Sequence, residues 1–154
     1  VQLTRFTDLG LRAMMLLAAG ESQEQRITTR GIAVAAGASE HHIAKAVSRL
    51  AELGLVRTRR GRSGGLALTD AGRQVSVGWL VRQLERDREV IDCDGDSPCP
   101  LLPACRLRRA MAAAKEAFYA ELDRHTITEL VGSSPLPVVL PAPRLQLSTE
   151  RIPS

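Results

Sequence analysis

When Thr7–Ala19 is wound as a helix, Leu9, Ala13, Leu16 and Leu17 share one face, and Gly20 is expected just past its end. A polar stretch, ESQEQR, follows. The next segment, ITTRGIAVAAGASEHHIAKAVSRLAELGLV, changes phase twice. Thr28 or Thr29 caps a short helix reaching about Ala36, and Gly37 supplies a sharp turn. Ser39 then caps a second helix with Ile43, Val47 and Leu50 at i, i+4 and i+7, which Gly54 ends. Leu55–Arg59 and Leu66–Leu68 read as short strands joined by a glycine-rich turn over Gly61–Gly65. Residues 69–86 read as one or two short helices, with Asp70 and Ser76 as caps and Val77, Leu80, Val81 and Leu84 apolar. Gly95, Pro98, Pro100 and Pro103 exclude a helix across most of the next stretch. A long helix is expected from near Ala104 to about Leu122, with Leu107, Met111, Ala114 and Phe118 as one apolar stripe. Thr126 and Glu129 have the spacing of a capping box and predict a last short helix. From Ser133 onward five of the eight prolines occur without a helical period, which predicts a loosely ordered tail.

Helix, tight glycine turn, helix is the layout of a helix-turn-helix, and two strands directly after it make a wing. The expected fold is therefore mainly α with a small β-hairpin wing, extended by a long helix suited to dimerisation. The division expected is a winged helix-turn-helix over 1–75, a cysteine loop and dimerisation helix over 76–132, and a flexible tail over 133–154. The stripe on the long helix fits either packing on its own domain or a seam with a second copy.

Charge sharpens this picture. Residues 1–73 carry 11 Lys and Arg against 6 Asp and Glu, whereas residues 74–154 carry 10 against 11. A basic N-terminal half points toward nucleic acid, although an Arg-rich solvated surface gives the same balance. Arg57, Arg59, Arg60 and Arg62 crowd the wing, where they suit phosphate contacts or a minor groove. In a helix-turn-helix the start of the second helix meets base edges. Here that start is Ser39, Glu40, His41 and His42, with Lys45 one turn on. Thr28, Thr29 and Arg30 are placed to hold the DNA backbone. One such module reads few bases, so a two-fold dimer on a palindrome is expected, and this favours the stripe as a seam.

With 154 residues, 25% of them charged and 44% apolar, the chain reads as one soluble globular unit. No stretch approaches the roughly 20 apolar residues that span a bilayer, and no signal peptide is visible, so a cytoplasmic protein is expected. No phosphate loop, nucleotide fingerprint or paired acid and base suggests an enzyme.

The three cysteines, Cys93, Cys99 and Cys105, sit in one loop, CDGDSPCPLLPAC, with five residues in each gap. An odd count in a cytoplasmic protein is no disulfide scaffold. Zinc prefers pairs spaced by two to four residues and four ligands, so these gaps suit it poorly. An iron–sulfur cluster is larger, and three thiolates on a four-cornered cluster leave one iron to another ligand.

FTDLGLRA, the winged segment SRLAELGLVRTRRGRSGGLALT, and C-x5-C-x5-C ahead of ACRLRRAMAAAKEAF together resemble the Rrf-type bacterial regulators, over roughly Leu3 to Leu130. The cysteine spacing followed by ACRL is the most specific part of this resemblance. Within that family the chain is most similar to the nitric-oxide-sensing repressors. The resemblance implies a homodimer holding a 4Fe-4S cluster on Cys93, Cys99 and Cys105. It also implies an oxygen ligand, for which Asp8 stands in the expected place, supplied from the partner subunit; Glu85, Asp92, Asp94 and Asp96 compete for that role. Sister regulators that sense cluster status use a histidine near the loop, and here the histidines are His41, His42 and His125. The expectation is a repressor of a palindromic, AT-rich operator that nitric oxide releases from DNA through its cluster. A related regulator of iron or cluster supply, or a zinc-bound winged-helix regulator, stays open.

Overall fold

A computed structural model describes residues 2–22, 26–61, 64–86 and 89–132. Arg62 and the proline-rich tail lie outside these residues. The described elements, in order, are α1 (Arg5–Ser22), α2 (Thr29–Ala36), α3 (Glu40–Glu52), β1 (Val56–Arg59), β2 (Gly65–Leu68), α4 (Asp70–Gln74), α5 (Val77–Glu85), α6 (Arg106–Leu122) and α7 (Ile127–Val131). A single 3-10 turn, Leu102–Ala104, precedes α6. The fold is mainly helical with one antiparallel hairpin, in the register Val56 to Leu68 through Arg59 to Gly65.

The first helix is longer than its apolar pattern predicts, and Gly20 lies buried inside it instead of past its end. A glycine in a helix interior costs about 1 kcal/mol. The extra turn carries Glu21 to hydrogen bonds with β2 and α4, which offset that cost. α1 is the hub of the core: Leu9, Ala13, Met14 and Leu17 are buried, and the helix packs against α2, α3, α5, α7 and β2.

The helix-turn-helix forms for local reasons. Thr28, not Thr29, caps α2, its Oγ1 accepting from Gly31 N at 3.0 Å. Gly37 adopts φ 62°, a left-handed conformation that favours glycine, and closes α2. Ser39 caps α3, which turns Ile43, Ala46, Val47 and Leu50 into the core. The cap of α4 is Thr69 instead of Asp70; the Thr69 hydroxyl accepts from Gly72 N and donates to Gly54 O, and Asp70 instead pairs with Arg73.

α5 starts at the Ser76 cap and packs on α6 through Tyr119, over whose ring Arg82 lies at 4.0 Å. α6 begins at Arg106, two residues later than expected, because the 3-10 turn occupies the preceding residues. Among the described residues, its stripe is covered only toward the C-terminal end. Phe118 and Met111 are half-buried, Ala114 is exposed and Leu107 is 57% exposed. The capping box of Thr126 and Glu129 is formed at the start of α7, which returns to α1 and α4.

Candidate nucleic-acid interface and cysteine centre

The inward face of α3 determines what its outer face presents. With Ile43, Val47 and Leu50 buried, the side chains of Ser39, Glu40, His41, His42 and Lys45 are all exposed at its N-terminal half. Ser39 Oγ accepts from His42 N at 3.3 Å and lies 2.8 Å from His42 Nδ1, which fixes the imidazole against the cap. The His41 and His42 rings are 6.0 Å apart. Ala44 and Ser48 share this exposed face. The helical period already implied them, but their plain chemistry did not draw notice. An exposed alanine or serine on such a face can meet a thymine methyl or a base edge. Thr29 and the exposed Arg30 begin α2, beside the half-buried Thr28.

β1 carries Arg57 and Arg59 outward, and Arg60 follows at the tip; all three are exposed. Gly64 N donates to Gly61 O, closing the turn between the strands. The wing is anchored at its root, where Leu66 N donates to Ile27 O at 2.8 Å and Leu68 N donates to Glu21 Oε1 at 3.1 Å. Sequence reasoning missed Glu21 and Arg73, because partners 47 and 52 residues apart leave no local signal.

The cysteine loop runs into the start of α6. All three thiols are free; Cys93 is buried, and Cys99 and Cys105 are half-buried. Cys99 N donates to Cys93 O at 3.0 Å, and Leu102 N donates to Cys99 O at 3.1 Å, so the loop folds through its cysteines. Arg108, on the first turns of α6, holds the loop by hydrogen bonds to Glu89 and to Asp94, the latter at 2.7 Å. Burial pushes the Cys93 thiol up, the Arg108 guanidinium opposes this, and the neighbouring Cys99 and Cys105 add to the rise. Arg108 also holds the Glu89 carboxyl below the usual carboxylate range.

Open space adjoins the thiols on two sides. A cavity of about 480 Å³ is lined by Glu89, Cys105, Arg106, Arg108 and Arg109. Another of about 490 Å³ is lined by Glu89 and by Ile91 to Asp94, including Cys93. Among the described residues, no three Cys, His, Asp or Glu side chains converge as ligands of a single metal ion. The donor set nonetheless fits an iron–sulfur cluster, which takes thiolates and is wider than one ion.

Asp8 stands in the first turn of α1 and accepts from Arg12 Nε at 2.8 Å. Arg12 also reaches Ala36 O, at the end of α2, at 3.5 Å. Asp8 does not join the thiols of its own chain in a ligand group. Of its competitors, Glu85 is occupied by Thr4, whose N and Oγ1 donate to it at 2.6 and 2.9 Å. Asp94 is occupied by Arg108, whereas Asp92 and Asp96 are exposed.

Among the described residues, no helix is long and apolar enough to cross a membrane. A family model described as "Rrf2: Iron-dependent Transcriptional regulator" matches residues 3–133. The chain is 56% identical over 140 residues to the HTH-type transcriptional repressor NsrR of Streptomyces coelicolor, covering 91% of this chain and 95% of that one. It is 37% identical over 133 residues to the HTH-type transcriptional regulator NsrR of Geobacillus kaustophilus, covering 85% and 90%. Its fold matches CymR, the global cysteine regulator of B. subtilis, with a TM-score of 0.63 and 26% identity over 87% of this chain and 98% of that one. It also matches T. potens IscR, with a TM-score of 0.67 and 24% identity over 85% and 86%. With the helix-turn-helix, the wing and the cysteine loop all lying inside the matched span, the chain belongs to the Rrf2 family of transcriptional regulators.

Proposed function

We propose that this protein is a cytoplasmic, dimeric DNA-binding repressor that senses nitric oxide through a 4Fe-4S cluster. The observation that carries the reading is three free thiols on one loop, running directly into a helix whose first turns hold Leu107 exposed among the described residues. The relationship to the NsrR repressors supports it.

Cys93, Cys99 and Cys105 would hold the cluster, and Asp8 of the partner subunit would complete it. When bound, such a cluster would supply an iron held by an oxygen ligand, which would be more open to nitric oxide than iron held by a thiolate. The chain's own residues do the rest. Arg108 ties the loop to α6, so the loop and the dimerisation helix are placed together. Asp8 is paired with Arg12, which touches the end of α2, so its position bears on the helix-turn-helix. Ser39, His41, His42 and Lys45 would read the major groove of a palindromic, AT-rich operator. Arg59, Arg60 and Arg62 would lie on phosphates or in the minor groove, and Thr28, Thr29 and Arg30 would hold the backbone. Residues 1–75 would serve as the DNA-binding unit and 76–132 as the sensing and dimerisation unit.

Cys99→Ala tests the switch. It should abolish the visible iron–sulfur absorption of anaerobically purified protein and release operator DNA. Tight DNA binding by a colourless variant would refute the switch. The family description, iron-dependent, favours a second reading in which the cluster reports iron supply. Anaerobic titration separates the two: nitric oxide should bleach the parent in step with DNA release, whereas an iron-supply regulator releases DNA on chelation and not at stoichiometric nitric oxide. A colourless parent containing zinc would remove both.

A further inference from the structure

The carboxylate of Glu21, in the last turn of α1, meets donors from two other elements. Oε1 accepts from Leu68 N at 3.1 Å and from Arg73 Nη2 at 3.1 Å, and Oε2 accepts from Arg73 Nε at 3.0 Å. The guanidinium fork is thus engaged on both oxygens, the geometry that makes such pairs strong. Arg73 is itself braced: its Nη1 donates to Asp70 at 2.8 Å, and its carbonyl accepts from Thr128 Oγ1.

The place of these bonds matters more than their number. β1 and β2 pair with each other along one edge of β2. On the other edge, Leu66 and Leu68 direct their N–H groups away from β1, and these two groups are taken by Ile27 O and by Glu21. Leu68 is fully buried, so its N–H has no recourse to water. The wing therefore stands on two fixed acceptors, one a backbone carbonyl and one a side chain. Arg59 and Arg60 extend from the far end of the same hairpin, so an error at the root is carried to the tip.

We propose that Glu21 is a positioning residue for DNA binding, the joint that sets the wing's angle and so brings Arg59 and Arg60 to the DNA. This rests on the DNA-binding reading of the wing. Glu21→Ala leaves Leu68 N without its acceptor and Arg73 with Asp70 alone. It should weaken operator binding about ten-fold, and the plot of log affinity against log salt should become shallower by about one to two, as for one or two lost phosphate contacts. The Leu68 amide should exchange its hydrogen faster in the free protein. Glu21→Gln keeps an oxygen for Leu68 N–H but loses the charged fork; it should weaken binding by a smaller factor, and it carries the test if the alanine variant fails to fold. A lowered Tm with parental affinity and salt slope would overturn the proposal, because Glu21 would then serve stability alone. The Arg59→Ala, Arg60→Ala double variant separates the two failures. If it has the parent's slope, Arg59 and Arg60 do not touch DNA, and the proposal falls with that part of the DNA reading. If its slope is shallower while both Glu21 variants match the parent, the joint alone is wrong.

Discussion

Leu107 gives a direct test of whether α6 is a seam between two copies. It is 57% exposed in the single chain, on the first turns of a helix whose apolar stripe the described residues cover only toward its C-terminal end. Burying a whole leucine side chain is worth ~1.5–3 kcal/mol, so the part a partner can still cover is worth about 1–1.5 kcal/mol per copy. A two-fold interface contains the residue twice, which gives about 2–3 kcal/mol per dimer. Leu107→Ala should therefore raise the dimer dissociation constant roughly 30- to 150-fold. The change should leave each chain folded, since this side chain contributes little to its own core. Sedimentation across a dilution series, with far-UV circular dichroism as the folding control, measures both. DNA binding should become steeply dependent on protein concentration in the same range. If parent and variant dissociate at the same concentration, Leu107 is not in a seam. If the parent is a monomer throughout, the dimer reading itself fails.

Two further outcomes concern the scaffold. A side chain on Gly72 would run into the backbone carbonyl of Leu55, which cannot move aside as a flexible side chain could. Gly72→Ala should cost about 1–3 kcal/mol and lower Tm in a thermal melt; an unchanged Tm would mean that α4 does not press on the wing's root. Glu129 accepts from Thr126 N, and with the Thr126 contacts this holds its carboxyl below the usual carboxylate range. Its folded-state pKa is thus below its unfolded one. The stability it adds is present above the unfolded value and lost as pH falls through the folded one. Glu129→Gln should lower Tm at neutral pH and narrow its difference from the parent between pH 5 and pH 3, about the carboxylate range; a constant difference would refute the linkage.

Much of this molecule was legible one element at a time. Caps, glycine turns and hydrophobic period are written in neighbouring residues, so Gly37, Ser39 and the Thr126–Glu129 box marked their helix ends correctly, and the cap of α2 was narrowed to Thr28 or Thr29, of which the fold uses Thr28. The glycine at position 20 misled for the same reason. Its local cost was visible, but the long-range bonds of Glu21 that outweigh it were not. Thr69 was passed over as a cap in favour of its neighbour Asp70, because both types cap well and only the backbone path selects between them. The stripe on α6 was visible as apolar, yet periodicity cannot tell a face that meets its own core from one that meets a partner. Tyr119 turning onto α5 while Leu107 stays in solvent is a tertiary result.

The candidate site divides along the same line. The residue types supplied its candidate groups: three thiols in one proline-broken loop, arginines on a hairpin and a polar start to α3. The fold alone decided which of the nearby acids are occupied, assigning Glu85 to Thr4 and Asp94 to Arg108. It also decided that the wing is fixed to the end of α1 by Glu21, a contact 47 residues apart in the chain. Sequence determined the elements and the donor atoms, because those depend on a residue and its near neighbours. Tertiary structure decided which donors meet which acceptors, because that depends on how the helices pack across the core.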